Sequence, residues 1–211
     1  MIRKEKDFVP DALIRRSALD NFYQAGYFGD IKNNKPGVIF NECRSLSITQ
    51  LSFWKEITHD TIRKIEQSTG IIISNDPCQA SESSCSSAIW IAPYRWLIVE
   101  KEKRDVIQEL NNCLQADSFV ATDLSHSRCV INISGKEARN VLRKGCSLDL
   151  DENFFKAGEA KTTSLFHINA LIHCLAENSF DIYVARSYGQ SFFEVIQHAA
   201  AEYGYRVTEP I

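Results

Sequence analysis

The chain has 211 residues, 44% of them hydrophobic and 24% charged, with a net charge of −3. It is long enough to bury a sizeable core and has the make-up of an ordinary globular protein. The charge balance gives no footing for nucleic acid or an anionic membrane, and no run is long and apolar enough to span a bilayer as a helix.

Residues 1–36 read as an N-terminal arm. The opening M-I-R-K-E-K-D-F-V-P lacks the apolar stretch of a signal peptide, so a cytoplasmic location is expected. The arm is broken by Pro10, Gly26, Gly29 and Pro36, yet it carries Leu13, Ile14, Leu19, Phe22, Tyr23, Tyr27 and Phe28. So many large apolar groups are expected to lie across the domain or across a partner. Residues 37–211 read as a single α+β domain.

Within that domain, 38–46 and 48–53 have strand character. Thr58 is placed to cap a helix that carries Ile62 and Ile65 on one face and stops at Gly70. Residues 75–87 form a polar, Ser-rich loop. Strands at 88–92 and 96–100 flank the turn Pro93-Tyr94-Arg95, and Val106, Ile107, Leu110, Cys113 and Leu114 mark a helix. In 128–133, Cys129, Ile131 and Ile133 alternate with Arg128, Val130 and Asn132, as in a strand with one apolar face. A helix over 136–144 follows, with Ser134 and Glu137 spaced as a capping box and Gly145 placed as a left-handed C-cap. Strands are expected near 161–167, 170–175 and 180–184. A last helix, with Ser187 and Gln190 as its capping box, presents Phe192, Ile196, Ala199 and Tyr203 on one face.

The segments W-L-I-V-E-K-E-K-R-D-V-I-Q-E-L and F-D-I-Y-V-A-R-S-Y-G-Q-S-F-F-E-V-I share a plan: a strand with an aromatic start, a basic joint, an amphipathic helix. The expectation is two related halves, about 37–122 and 123–211, of mixed or antiparallel sheet with helices packed on one side. The seven cysteines are odd in number and form no C-x-x-C pair, which points to reduced thiols. The five histidines stand at no metal-ligand spacing with Cys, Asp or Glu.

Three blocks carry a resemblance: D-L-S-H-S-R-C-V-I-N-I-S-G-K-E-A-R-N-V-L-R-K-G-C-S-L-D-L, then S-F-D-I-Y-V-A-R-S-Y-G-Q-S-F-F-E-V-I-Q-H-A-A-A-E-Y-G-Y, and upstream A-I-W-I-A-P-Y-R-W-L-I-V. Together they resemble the gamma subunit of heterotetrameric sarcosine oxidase, a flavoenzyme complex that demethylates sarcosine oxidatively. The resemblance implies a fold related to the aminomethyltransferase folate-binding domain. It also implies a non-catalytic role packing chiefly on the alpha subunit, with beta and delta completing the heterotetramer. No cofactor is implied in this chain; FAD, FMN, NAD, tetrahydrofolate and zinc are expected in the partner subunits.

Asp123, Ser125, His126, Arg128, Lys144, Cys146 and Asp149 are the polar residues left over at the two ends of one strand–helix unit. By resemblance to aminomethyltransferases, Asp149 stands where an Asp acts on bound folate, Glu177 stands where a Glu grips the pterin, and His126 falls in the similar D-L-S-H. These three define an alternative reading as a one-carbon enzyme. Against it, Ala176 and Ser179 replace two glycines of that pattern, and Asp149 is expected to accept backbone hydrogen bonds beside a helix end. Asp123-Leu124-Ser125-His126 is expected to form a local turn. Lys144-Gly145-Cys146 is read as structural, because a thiol at a helix C-terminus faces the negative dipole end. Trp90 and Trp96 are expected in the core. Tyr94, Arg95, Phe22, Tyr23, Tyr27 and Phe28 are the candidates for partner contact.

Overall fold

The computed structural model of the chain describes residues 16–31, 35–83, 85–102 and 104–211. Leu13 and Ile14 of the arm lie outside the described residues. The strands are β1 (Gly26–Phe28), β2 (Val38–Glu42), β3 (Ser47–Phe53), β4 (Ala80–Glu82), β5 (Ser86–Ala92), β6 (Arg95–Glu100), β7 (Phe119–Asp123), β8 (Arg128–Ser134), β9 (Ala160–Leu165), β10 (Ile168–Ala176), β11 (Ser179–Ala185) and β12 (Tyr205–Val207). The helices are α1 (His59–Thr69), α2 (Val106–Cys113), α3 (Ala138–Arg143) and α4 (Gly189–Ala200).

The run β3-α1-β4-β5-β6-α2-β7 has the same order of elements as β8-α3-β9-β10-β11-α4-β12. The sheets repeat it too. One is ordered β4-β5-β6-β3-β7, the other β9-β10-β11-β8-β2-β12-β1 read from its far edge. The second differs by β2, inserted between β8 and β12, and by β1 added outside β12. The β2–β12 pair is parallel, which makes that sheet mixed. The expected α+β class, with two related halves and helices on one side of each, is what the chain adopts.

Side-chain alternation explains how the halves meet. On β8, β10 and β11, the residues Ile131, Ile133, Ile172, Cys174, Phe180 and Ile182 pack with Phe192, Phe193 and Ile196 of α4 and Val141 and Leu142 of α3. On the other sheet Leu51, Trp96 and Ile98 pack with Ile65 of α1 and Val106 and Leu110 of α2. The opposite strand faces supply a third core, in which Ile48, Ile89, Leu97 and Val99 meet Val130, Ala160, Leu171 and Tyr183. The layers therefore run helices, sheet, sheet, helices. This is why Leu97, Ile98 and Val99 are all buried in succession: both faces of β6 are covered. The sheets are stitched at one edge, where Gln79 and Glu159 form an antiparallel bridge and Ala160 N–H donates to Cys78 O at 2.7 Å.

A polar row crosses the inner face of the seven-stranded sheet. Register pairs Asn41 with Asn132, Asn132 with Asp181, and Asp181 with His173. Asn132 Nδ2 donates to Asp181 Oδ1 at 2.7 Å. His173 is 1% exposed, and neither ring nitrogen has a hydrogen-bond partner among the described residues.

The arm is held against the domain from Leu19 onward. Leu19 is fully buried, Tyr23 stacks on Phe193 at 5.4 Å, and Phe28 stacks on Tyr205 at 5.4 Å. The Tyr23 hydroxyl donates to Thr208 O at 2.7 Å and accepts from Glu42 N–H at 3.0 Å.

Helix ends agree with the sequence in the first half. The Thr58 hydroxyl accepts from Thr61 N–H at 3.3 Å, and Gly70, at φ 68°, caps α1 by donating to Glu66 O. In the second half they differ. Ser134 is the last residue of β8, and no side chain caps α3. Gln190 donates to Glu194 rather than closing a box, because a 3-10 turn over Arg186–Tyr188 leads into α4 instead of an extended cap. Gly145 is not left-handed. A Cβ there would stand 2.3 Å from Phe166 Cδ1, so glycine is needed for close packing. The Ser-rich loop contains β4. Ile168-Asn169-Ala170-Leu171 is strand, and the hairpin turn lies at Phe166-His167, both at positive φ.

Candidate functional site

The polar residues of the β8–α3 unit do not form one constellation. Asp123, Ser125, His126 and Arg128 stand at the N-terminal end of β8, and Lys144, Cys146 and Asp149 follow α3.

Beyond α3, Asp149 is exposed, and its Oδ1 accepts from Asp151 N–H at 2.9 Å in a local turn. Glu177 is exposed at the β10–β11 turn. The two loops are joined through backbone, by a residue that motif reasoning missed. Arg139 on α3 is 7% exposed and donates to Leu150 O, to Phe155 O at 3.2 Å and to Glu177 O at 2.6 Å. Its guanidinium also lies 5.0 Å from the centroid of Phe180. The arginine thus ties the two loops together through their carbonyls, and the carboxylates of Asp149 and Glu177 are left exposed. The signal was available: Arg139 falls one position after buried Ala138 and three before buried Leu142, on the flank of the apolar stripe.

Lys144 Nζ bonds Glu202 Oε1 at 2.5 Å and sits 4.6 Å from the ring centroid of Tyr203. Cys146 approaches Thr163 Oγ1 at 3.9 Å. Both residues serve local packing between α3, α4 and the β9–β10 hairpin.

At the other end, Asp123 Oδ1 accepts from Ser125 N–H at 2.8 Å, and Ser125 Oγ accepts from Ile48 N–H at 2.9 Å. The expected Asp-Leu-Ser-His turn is formed, with His126 exposed. It borders a recessed cleft of about 210 Å³. The walls come from four segments: Arg16, Ser17 and Asp20 of the arm, Glu42–Ser45 at the crossing between sheets, Ser125 with Arg128–Val130, and Arg186 after β11. A wider, more open depression continues from it past Arg44 and Ser125 to His126, Lys101 and Arg104.

The charges of the cleft are unequal. Arg44 Nε bonds Glu42 Oε2 at 2.6 Å and its NH1 bonds Asp20 Oδ1 at 3.2 Å. Buried Glu42 also accepts the Ser17 hydroxyl. Both carboxylates are thereby engaged. Arg128 and Arg186 have no carboxylate partner among the described residues; Arg186 NH2 donates to Arg16 O at 2.5 Å. The thiols of Cys43 and Cys129 line the same cleft, and burial pushes each up to about 12, so both are protonated near neutral pH. The cleft has donors and positive charge, with no nucleophile among these groups.

No group of three or more His, Cys, Asp or Glu among the described residues is placed to hold a metal ion. No helix among them is long and apolar enough to cross a membrane.

The partner-contact candidates divide by exposure. Tyr23 and Phe28 pack inward, as described. Phe22 and Tyr27 stay exposed, at 47% and 59%, and Arg206 lies over the Tyr27 ring at 5.3 Å. Tyr94 is held at φ 61° at the β5–β6 turn and Arg95 beside it is exposed. Trp54, 67% exposed, follows Phe53, whose N–H donates to Tyr94 O at 2.9 Å. Trp54 was not singled out from sequence, since a lone Trp between a strand and a Lys-Glu pair has no periodic signature. Trp96 is buried, with Nε1 donating to Ser74 O at 2.8 Å, and Trp90 is partly buried against the same core.

Comparison with known proteins gives a consistent set of likenesses. A family model described as sarcosine oxidase, gamma subunit family, matches residues 65–202. A sarcosine oxidase subunit gamma of Corynebacterium sp. (strain U-96) is 29% identical over 124 residues, 59% of this chain and 60% of that one. A sarcosine oxidase subunit gamma of Arthrobacter sp. is 31% identical over 101 residues, 48% of this chain and 50% of that one. These matches span about half to three-fifths of the curated relatives' length. Among solved structures, a chain of the heterotetrameric sarcosine oxidase from Corynebacterium sp. U-96, in complex with pyrrole 2-carboxylate, has the same fold. Its TM-score is 0.76 at 23% identity, covering 90% of this chain and 96% of that one. The glycine cleavage system aminomethyltransferase T from Bartonella henselae is a more distant fold likeness, with TM-score 0.58 at 10% identity over 82% of this chain and 48% of that one.

Proposed function

The chain belongs to the sarcosine oxidase gamma subunit family, and from that premise we propose that it serves as the gamma subunit of a heterotetrameric sarcosine oxidase. In this reading it contributes packing surface, chiefly to the alpha subunit, within a complex completed by beta and delta. FAD, FMN, NAD, tetrahydrofolate and zinc are then bound by those partners. The domain reading that goes with it is an arm over 1–36 and one α+β domain over 37–211.

The observation that carries the proposal is the family match over residues 65–202. The geometry supports it from the other side: the carboxylates of the rival reading, Asp149 and Glu177, are exposed at loops closed by Arg139. Support for a packing role comes from the exposed aromatics Trp54, Tyr94, Phe22 and Tyr27, of the residue types that anchor interfaces.

Co-expression with the alpha, beta and delta subunits of a sarcosine oxidase, followed by native mass measurement, tests the proposal. A stoichiometric four-chain complex is expected, and Trp54→Ala with Tyr94→Ala is expected to lower its yield. A chain that stays monomeric beside all three partners refutes the subunit reading. Saturable tetrahydrofolate binding to the chain alone, lost in Asp149→Asn, returns the aminomethyltransferase-type reading.

A further inference from the structure

We propose that the cleft at the N-terminal end of β8 is a binding site for a small oxyanion, a carboxylate or a phosphate, held by Arg128 and Arg186. The inference does not depend on the subunit role; it stands on the geometry of the cleft.

Strand pairing brings the two cations together. Arg128 begins β8, and its register partner on β11 is Ala185, the residue before Arg186. Arg186 N–H donates to Ser127 O at 2.9 Å, which locks the two strand ends side by side. The guanidinium of Arg186 also holds the carbonyl of Arg16, so a third cationic residue is drawn to the rim. All three line one recess of about 210 Å³.

Like charges gathered in a recess repel, and a folded chain normally answers them with carboxylates. Two carboxylates are present, Asp20 and Glu42, but Arg44 and Ser17 already take them. Among the described residues Arg128 and Arg186 therefore have no carboxylate to answer them, and their positive charge is open to a small anion. The chain as a whole carries −3, so this excess is local and is not the overspill of a basic protein.

The chemistry of the donors selects the ligand. Planar guanidinium forks match the paired oxygens of carboxylate and phosphate, and a spherical halide cannot use them bidentately. The hydroxyls of Ser17, Ser45 and Ser125 in the walls add polar lining. The recess has the volume for an oxyanion-bearing group of a few heavy atoms, and the protonated thiols of Cys43 and Cys129 leave its floor uncharged.

The test uses the full-length chain and two probes, succinate and inorganic phosphate, each against sodium chloride at matched ionic strength. Thermal midpoint and titration calorimetry are read together. At least one probe is expected to raise the midpoint saturably beyond chloride. Response to succinate alone assigns a carboxylate ligand, and response to phosphate alone assigns a phosphate. Arg128→Gln and Arg186→Gln are each expected to weaken binding about tenfold or more, as loss of a charge-assisted pair should. Arg143→Gln, on a distant exposed surface, is expected to leave binding unchanged. Where a glutamine variant loses its cooperative melt, the lysine replacement at that position is read instead, with weakening expected from loss of the fork. The proposal is overturned if neither probe exceeds chloride, or if binding survives undiminished in the variants at both positions.

Discussion

His173→Leu offers a direct reading of the layer between the sheets. His173 lies on β10 facing that layer, with Asp181 beside it on β11, Glu82 Oε1 of β4 3.9 Å from its Nε2, and the Lys101 charge near the end of β6. Burial, and secondarily the Lys101 charge, lowers its pKa from 6.5 to about 4. The native state therefore keeps the ring neutral where the unfolded chain would already bind a proton. Stability from this group is complete above about pH 6.5 and is lost as pH falls toward about 4, by up to about 3.4 kcal/mol in all. Between about pH 7 and pH 5 the loss amounts to about 1.8 kcal/mol. Leucine cannot titrate, so urea unfolding at the two pH values should show the variant losing about 1.8 kcal/mol less than the parent across that interval. Asp181, which burial pushes above the usual carboxylate range, titrates in both proteins and largely cancels in the comparison. At about pH 7 the variant should be close to neutral or stabilised, because two unpartnered buried nitrogens disappear at the cost of an imperfect change of shape. Parallel losses in the two proteins between pH 7 and pH 5 would refute the argument, since His173 would then titrate alike in folded and unfolded chains.

Gly145→Ala should destabilise by about 1–3 kcal/mol, read as a lower thermal midpoint, because its Cβ meets the Phe166 ring at 2.3–2.5 Å and that ring sits on a residue held at φ 51°; an unchanged midpoint would mean the hairpin yields freely. Arg139→Met should cost about 2–4 kcal/mol in urea unfolding, since the carbonyls of Leu150 and Phe155 lose their donor. In the same variant, protease cutting should rise within 150–156 and at the β10–β11 turn, and unchanged protection would show that the loops hold without the arginine. Asn132→Ala should cost about 1–3 kcal/mol by leaving the Asp181 carboxyl without its Asn132 donor. Adding Asp181→Leu should recover part of that loss, and strict additivity in the double-mutant cycle would deny the bond its weight.

Long, locally determined elements were legible in the sequence, and short non-local ones were not. α1 announces itself with Thr58 before it, Ile62 and Ile65 on one face, and Gly70 after it, all in one short local stretch. The β5–β6 hairpin and the β11–α4 unit are similarly self-contained. β1 and β12 have three residues each and exist because of distant partners: they pair with each other, and β12 pairs with β2 across more than 160 positions. No local pattern encodes such a pairing. For the same reason β2 read as part of the first half, although it joins the sheet of the second. The cleft was half visible. Ser125, His126 and Arg128 drew attention by motif, whereas Arg16, Arg44 and Arg186 come from three other segments that only the folded chain assembles.

The polar row on the inner face of the seven-stranded sheet bears on how two sheets that are apolar on both sides settle on one register. β8 and β11 carry Ile, Val, Cys, Phe or Tyr at most positions, and a one-residue slip would exchange one apolar face for another at modest loss. Asn132 and Asp181 alter that balance. After a slip of either strand the amide and the carboxyl would no longer face each other, and one of them would enter the core against Phe192, Phe193 and Ile196. Burying an unpaired carboxyl costs more than burying a neutral amide that has found its acceptor. Asn41 continues the row on β2, the strand inserted into the repeat, where its amide donates to Thr208 Oγ1 and Glu209 O at 2.7 Å and so ties the chain's last residues to the same line. His173 closes the row with no hydrogen-bond partner for its ring among the described residues. A residue that adds nothing to pairing and weakens the fold below about pH 6.5 is the one member of the line that register alone does not account for, which is why its replacement separates the cost of polarity in this layer from its use.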